Sequence, residues 1–392
     1  MKKLYAMVLA VTLSLLSAIT VNAINTENIT AEEYKLKSDD LNFDCKSALL
    51  MEGTTGEILY SQNSDQALPL ASVTKVMTLL LVMEAISKGN ISLSDEVLIS
   101  QYASSMGGSQ VFLREGERMT VEELIKCAVI ASANDACVAL AEHVAGSEDA
   151  FVERMNERAI ELKMSGAHFE NTTGLDDTTV NHVCSANDIA IMSKELIKYD
   201  LITKYSSTWQ DEIRNGEFVL TNTNRLVRYY DGCTGLKTGS TDKAGFCISA
   251  TAKRGEMHLI AVVMGANTRD ERNAIARNML DYGFANFSLY TSGEEMIGRL
   301  NVNHGKLDSI AVYTKGISKV INKADKSKIE KTFDMPGELG APIEPGECIG
   351  YVNYTVDGKT LYTAEVFVKD RVEKIEIFDL YLRLLKYYLV GK

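Results

Sequence analysis

The chain has 392 residues, 46% of them hydrophobic and 24% charged, which is enough apolar material for real cores and suggests two or three domains. Its formal net charge is −12, so it lacks the basic footprint that nucleic acid requires, and nucleic-acid binding is set aside. The seven cysteines form no C-x-x-C, so no zinc or dithiol motif is suggested; being odd in number they leave at least one thiol unpaired, and most read as small buried apolar residues.

Residues 1–23 read as a signal peptide. Lys2 and Lys3 give the positive start, residues 4–19 the apolar run, and Val21-Asn22-Ala23 a small-x-small cleavage site. An uncleaved membrane helix is the alternative, but the run is short for a span of about 20 residues. Export would permit disulfides. Residues 24–44 are polar and irregular, a mobile start. S-A-L-L-M-E-G-T-T-G-E-I-L-Y-S predicts two strands about a Gly-bearing turn. Residues 73–86 are apolar on nearly every side, which predicts a buried helix.

From about 95 to 200 the pattern is helical, through V-E-E-L-I-K-C-A-V-I-A, A-C-V-A-L-A-E-H-V, A-F-V-E-R-M-N-E-R-A-I-E-L and I-A-I-M-S-K-E-L-I. Strands return at G-F-C-I-S-A-T-A and H-L-I-A-V-V-M-G, joined by K-R-G-E, and a helix follows over about 269–282. Strands thus flank a helical middle, an α+β arrangement rather than a β-α-β alternation. After about 290 the texture changes. Pro336, Pro342 and Pro345 fall here, and alternating runs flank Asp357-Gly358, so residues 291–370 read as a small β domain. In the last stretch, residues 372–392, Glu376, Asp379, Arg383 and Lys386 form one narrow polar stripe on a helix, with Phe378, Leu382, Leu385 and Leu389 facing elsewhere. It is too short to span a bilayer comfortably, and the wide apolar arc suits a membrane surface; a helix docked on the β domain is the other reading.

Three short motifs can carry chemistry. In L-P-L-A-S-V-T-K, Ser72 and Lys75 share a face at a helix start, where a lysine with a lowered pKa can take the serine proton. Ser240 and Lys243 form a second S-x-x-K, and a serine at a helix start is more often a cap. S-A-N-D occurs twice, from Ser132 and from Ser185. Each copy can begin a helix, with serine as N-cap and aspartate as the partner of a capping box. Lys237-Thr238-Gly239 precedes a strand run and offers a cation, a hydroxyl and bare backbone at a strand edge to a ligand carboxylate. A solvated surface turn is the plain alternative.

The order S-x-x-K, S-x-N, K-T-G is the signature of class A β-lactamases and penicillin-binding proteins. With G-S-Q-V-F-L-R-E-G-E, A-S-A-N-D-A, K-T-G-S-T-D-K-A-G-F, the β domain and the tail, the chain resembles the D-alanyl-D-alanine carboxypeptidases, low-molecular-mass penicillin-binding proteins of the penicillin-binding-protein-5 type. The resemblance implies a β-lactamase/transpeptidase-like domain over 45–288, an antiparallel sheet flanked by helices with a helical insertion, then the small all-β domain and the amphipathic helix. It implies Ser72 as the acylated nucleophile and Lys75 as its base. Ser132 would relay protons, and Asn134 would contact substrate and lysine. Lys237, Thr238, Ser240 and Arg272 would bind the substrate carboxylate and carbonyl, with the N–H groups of Ser72 and Ser240 as oxyanion hole. The implied partners are stem peptides ending in D-Ala-D-Ala, β-lactams and a membrane surface. No cofactor or metal is implied, and the place is the outer face of the cytoplasmic membrane or the cell wall. The middle motif reads S-A-N where many members have S-G-N.

Rival readings fare worse. Class A β-lactamases need a glutamate, in E-x-x-L-N, to activate the deacylating water, and no such stretch lies between Ser132 and Lys237. No G-x-S-x-G marks a Ser-His-Asp hydrolase. His143, His168, His182, His258 and His304 read as surface or capping residues. A wall-binding scaffold that had lost the chemistry would be missing part of the three motifs, and nothing is missing.

Overall fold

A computed structural model of the chain describes residues 33–36 and 41–390. The signal-peptide reading lies outside the described residues, as does most of the segment read as a mobile start. The described part of that segment is tied down. Tyr34 donates from its backbone N–H to Thr360, and its hydroxyl donates to Asp325 (3.0 Å) while accepting from Asn322. Phe43 packs edge-on against Tyr60. An isolated Tyr and Phe in a polar stretch carry no periodicity, so these anchors were not readable beforehand.

The first unit is built on five antiparallel strands. They are β1 (Ser47–Glu52), β2 (Ile58–Gln62), β3 (Cys233–Thr241), β4 (Gly245–Arg254) and β5 (Met257–Ala266), in the order β2-β1-β5-β4-β3. β1 pairs with β5, Ala48 opposite Val263, so the start of the domain closes against its end. Successive side chains of a strand face opposite ways. Accordingly Leu49, Met51, Ile260 and Val262 join the core on one face of the sheet, and Leu50, Leu259, Ala261 and Val263 the core on the other. Burial on both faces is why these strands read as continuous apolar runs.

One face carries the helical middle: α1 (Lys75–Ser87), α2 (Val121–Lys126), α3 (Asn134–Ala145), α4 (Glu148–Glu161) and α5 (Ala186–Leu196). α1 runs through the centre of this lobe, with Val76, Met77, Leu79, Leu80 and Val82 buried, as its uniform apolarity predicted. The other face is covered by α6 (Arg269–Asn286) through Ile275, Ala276, Met279 and Leu280. A side chain at Gly283 would lie 2.5 Å from Leu259, so glycine lets α6 settle onto β5.

α6 runs straight into β6 (Phe287–Ser292), the first strand of the second unit, earlier than the change of sequence texture near 290. β6 pairs with β9 (Ile317–Asn322). β7 (Glu295–Asn303), β8 (Ser309–Thr314), β10 (Ile329–Asp334), β11 (Glu338–Gly340), β12 (Cys348–Val356) and β13 (Lys359–Val368) form a six-stranded sheet in the order β10-β12-β13-β8-β7-β11. Asp357 and Gly358, both at positive φ, turn the chain between β12 and β13, as the D-G dipeptide predicted. α7 (Ile377–Val390) ends the described chain. No helix among the described residues is long and apolar enough to cross a membrane. All seven cysteines are free thiols; Cys127, Cys137, Cys184 and Cys247 are buried, and Cys348 is exposed.

Candidate active site

Ser72 lies in a single 3-10 turn, Ala71–Thr74, that feeds α1. Ala71 holds φ +48°, a left-handed conformation that costs a non-glycine residue energy and is sustained only where surrounding structure imposes it. The turn places Ser72 over the first helical residue, Lys75, whose side chain is wholly buried. Lys75 Nζ lies 2.9 Å from Ser72 Oγ and donates to the carbonyl of Thr173 (2.6 Å). Burial lowers its pKa to about 8, against smaller opposing effects of Cys137 and Asp135. An amine so placed is neutral often enough to accept a proton. The second S-x-x-K forms no such pair: Lys243 reaches instead to the carbonyl of Asp176 (2.6 Å).

K-T-G lies inside β3, the edge strand of the sheet, rather than before a strand as its sequence suggested. Gly239 has a necessity beyond the one expected. A side chain there would sit 2.7 Å from Ser72 N and 2.9 Å from Val73 N, so it is the protein's own turn that needs the bare backbone. Lys237, also buried, donates to Ser132 Oγ (2.8 Å) and to the Thr238 carbonyl. Burial holds its pKa well below the usual lysine value, and the Lys75 charge lowers it further. Thr238 Oγ1 donates to Thr223 Oγ1 (2.9 Å).

The two S-A-N-D copies have different backbones. Ser185 is extended at the N-cap of α5. Its Oγ accepts from Asp188 N (3.1 Å) and its backbone N–H donates to Asp188 Oδ2 (3.3 Å), a complete capping box, and the hydroxyl donates to the same carboxylate oxygen (2.7 Å). Ser132 is not a cap, contrary to expectation. It stands at φ +63° after a π-helical turn, Cys127–Ala131, and Ala133 begins α3 without a side-chain cap. Asp135 makes no capping box either. Its carboxylate accepts backbone N–H groups from Val111, Leu113 and Ala136, pinning the 107–113 loop beside the site. Asn134 donates to Gly107 O (2.7 Å) and bonds no lysine; its Oδ1 is buried without a partner. Arg272 is buried as well, on Asn273 Oδ1 (2.9 Å) and the Cys247 carbonyl (3.4 Å). Burial brings its pKa down to about 10, assisted by the nearby Arg269 charge.

A 190 Å³ hollow here is lined by Ser72, Ser132, Thr238, Gly239, Ser240 and Arg272, together with Ser109, Thr223 and Arg269; Lys75, Asn134 and Lys237 are not among its lining residues. Ser109, Thr223 and Arg269 were not foreseen. Thr223 sits in T-N-T-N-R, whose flanking Asn222 and Asn224 are both buried and hydrogen-bonded to backbone; that dense polar run was the available signal. His182 was misread as a surface or capping residue. It is buried, its Nδ1 accepts from Glu170 N (2.9 Å), and its Nε2 meets Thr74 Oγ1 (2.7 Å). Burial lowers its pKa to about 4, so it stays neutral and ties the 170–183 loop to the turn of Ser72. A larger hollow of 1180 Å³, among Glu117, Arg118 and Arg214, is lined by no serine, cysteine or lysine.

A serine and a buried lysine at a helix start, a serine–lysine pair opposite, and an edge strand beside them define a serine acyl-transfer enzyme of the β-lactamase/transpeptidase fold. Residues 33–268 match the peptidase S11 family of D-alanyl-D-alanine carboxypeptidases, and residues 284–374 match the penicillin-binding protein 5 C-terminal domain. The chain belongs to that carboxypeptidase family. It is 43% identical to D-alanyl-D-alanine carboxypeptidase DacF of Bacillus subtilis, over 88% of this chain and 90% of the relative. It is 30% identical to DacA of Escherichia coli over 94% and 97%. Penicillin-binding protein 5 from Haemophilus influenzae superposes with TM-score 0.76 at 31% identity, covering 86% of this chain and all of that one. Penicillin-binding protein D2 from Listeria monocytogenes in its ampicillin-bound form matches with TM-score 0.58 at 29% identity, covering 63% of this chain and all of that one.

Proposed function

We propose that this site removes the terminal D-alanine of peptidoglycan stem peptides as follows. Ser72 Oγ attacks the carbonyl between the two D-alanines while neutral Lys75 takes its proton. The N–H groups of Ser72 and Ser240 hold the developing oxyanion. Because Lys237 donates to Ser132 Oγ, the Ser132 hydrogen is free to turn toward the departing amine and relay its proton. D-Alanine leaves with its carboxylate held by Lys237, Thr238 and Arg272. Water then hydrolyses the Ser72 ester. The buried, unpartnered Asn134 Oδ1 accepts an amide N–H of the bound peptide, which a buried acceptor otherwise lacks at a cost of roughly 1–3 kcal/mol.

The observation that carries this reading is the 2.9 Å contact of Ser72 with a wholly buried lysine. Mass spectrometry of the intact protein after penicillin treatment tests it. A single adduct should map to Ser72 and vanish, with D-alanine release, in Ser72→Ala. An adduct on Ser240, or a turning-over Ser72→Ala, sinks the assignment.

The reading extends to place. The polar stripe of α7 faces the second unit: Arg383 bonds Asp308 (2.8 Å) and the Lys306 carbonyl, and Asp379 pairs with Lys306. The apolar side chains are left outward, with Ile377 90%, Phe378 67% and Leu389 74% exposed. A helix docked for stability would bury that face. The inverted arrangement suits insertion into a lipid surface, placing the enzyme at the outer face of the cytoplasmic membrane after export. Deleting 377–390 should abolish flotation of the full chain with anionic phospholipid vesicles and leave hydrolysis of a soluble peptide unchanged. Undiminished flotation would remove the helix from the anchor.

A further inference from the structure

Thr223 combines a fixed backbone with a side chain that has one contact to make. It stands in T-N-T-N-R between two asparagines that are buried and clamped. Asn222 donates to the carbonyls of Ser206 (3.0 Å) and Thr208 (2.8 Å) and accepts from Asn224 N (2.9 Å). Asn224 donates to the carbonyl of Gly235 in β3 (2.8 Å). The N–H of Thr223 itself donates to the carbonyl of Ile130 (3.1 Å), inside the π-helical turn that precedes Ser132. The segment is thus tied both to the Ser132 side of the site and to the strand of K-T-G. Held between these ties, Thr223 is exposed and lines the 190 Å³ hollow.

The Thr223 hydroxyl has a single hydrogen-bond partner among the described residues, Thr238 Oγ1 at 2.9 Å. Here the Thr238 hydrogen points at Thr223. A hydroxyl has one hydrogen and two lone pairs. In the reaction proposed above, on which this inference rests, Thr238 gives that one hydrogen to the carboxylate of the leaving residue. The bond between the threonines then survives only by reversing, with Thr223 donating and Thr238 accepting. Nothing opposes the reversal, because Thr223 Oγ1 has no other partner and its hydrogen can rotate. Once reversed, both hydroxyls point the same way, from Thr223 to Thr238 to the carboxylate. A chain so aligned polarises each donor toward the anion.

We infer that Thr223 is a positioning residue for the leaving residue's carboxylate. Its hydroxyl orients and strengthens Thr238 as a donor, and so favours substrates with a carboxylate on the leaving side over those without. The contribution exists only when the leaving group carries the anion, since a leaving group without one gives Thr238 no cause to turn.

The experiment uses two esters of one N-acylated D-alanine, with D-lactate and with isopropanol, which match in shape and differ by a carboxylate against a methyl. From both, the Ser72 ester forms as the C–O bond breaks, the alcohol leaves with the serine proton, and water ends the ester. The acyl-enzyme is the same, so kcat/KM isolates the acylation step. The unaltered protein should favour the lactate ester. Thr223→Val keeps the shape and removes the hydroxyl. It should lower kcat/KM for the lactate ester about fivefold, the scale of one hydrogen bond, and leave the isopropyl ester within about twofold. Thr223→Ser restores the hydroxyl and should hold both esters within about twofold. An equal fall for the two esters in Thr223→Val marks a structural role and overturns the inference. So does a fall for neither, a Thr223→Ser as impaired as Thr223→Val, or an unaltered protein indifferent to the carboxylate. Any of these with D-alanine still released from a D-Ala-D-Ala peptide by the unaltered protein overturns the inference alone; no release overturns the proposed function with it.

Discussion

The two S-A-N-D segments are identical in sequence and share almost nothing else. At Ser185 the backbone is extended, the serine hydroxyl caps α5 and the aspartate closes the box. At Ser132 the backbone is left-handed, the hydroxyl turns to Lys237, and the aspartate holds a different loop. The cause lies upstream. Ser185 follows a strand-like bridge of Leu68 to Cys184 and enters its helix freely. Ser132 follows a π-helical turn whose wider winding leaves the next residue to reverse the chain in αL. A tetrapeptide sets what can be capped; what precedes it sets whether capping happens.

The sharpest way to break this contrast is at the asparagines. Asn134→Ala should lower kcat/KM by roughly 100-fold or more, the scale of losing one positioned amide at a reacting centre. Asn187 is half-buried and bonds through its backbone N–H to Ser64, so Asn187→Ala should leave turnover within about twofold. Steady-state hydrolysis of a D-Ala-D-Ala peptide decides it, and equal losses would erase the distinction between the copies.

A second test uses charge. The first copy lies against buried lysines, the second against its own aspartate. Lys75, with a pKa of about 8, remains protonated below that value and cannot accept the Ser72 proton. The acylation rate should therefore rise about tenfold per pH unit up to roughly pH 8 and then level. The sign follows from burial: desolvation disfavours the ammonium, so the working form gains with rising pH. Ser185→Ala should leave this profile in place. A rate flat between pH 6 and 8 would show that Lys75 is not the base.

Much of this was legible in the sequence, for reasons that vary by element. α1, β4 and β5 are apolar on both sides and announced themselves. The contact of Ser72 with Lys75 was legible because a spacing of three at a helix start brings side chains to one face. β3 was not, because in K-T-G-S-T only the two threonines favour a strand, and its extended form is imposed by pairing with β4, Lys237 opposite Ser249. The second need for Gly239 was hidden too, since the atoms it must avoid belong to Ser72 and Val73. His182 and Tyr34 are single residues whose partners lie far along the chain, and no local pattern encodes them. The amphipathic tail could be read, but not which of its faces would meet the protein; Arg383 and Asp379 show that it is the polar one.

The smallest expected effect separates capping from backbone strain. Ser185→Ala removes a hydroxyl that serves α5 twice, and should cost about 1 kcal/mol of stability with turnover intact. At Ser132 no cap exists to lose. There the side chain opposes the backbone, because a Cβ in the left-handed region costs roughly 1–2 kcal/mol that glycine avoids. Both Ser132→Ala and Ser132→Gly surrender the Lys237 contact and should lose activity together. Between them the glycine variant should be the more stable by about 1 kcal/mol, a difference that contains no hydrogen bond and reports backbone alone. Urea unfolding of Ser185→Ala and of the two Ser132 variants measures all three. If Ser132→Ala proves as stable as Ser132→Gly, position 132 is not held left-handed, and the two copies of S-A-N-D differ by their neighbours and not by their backbone.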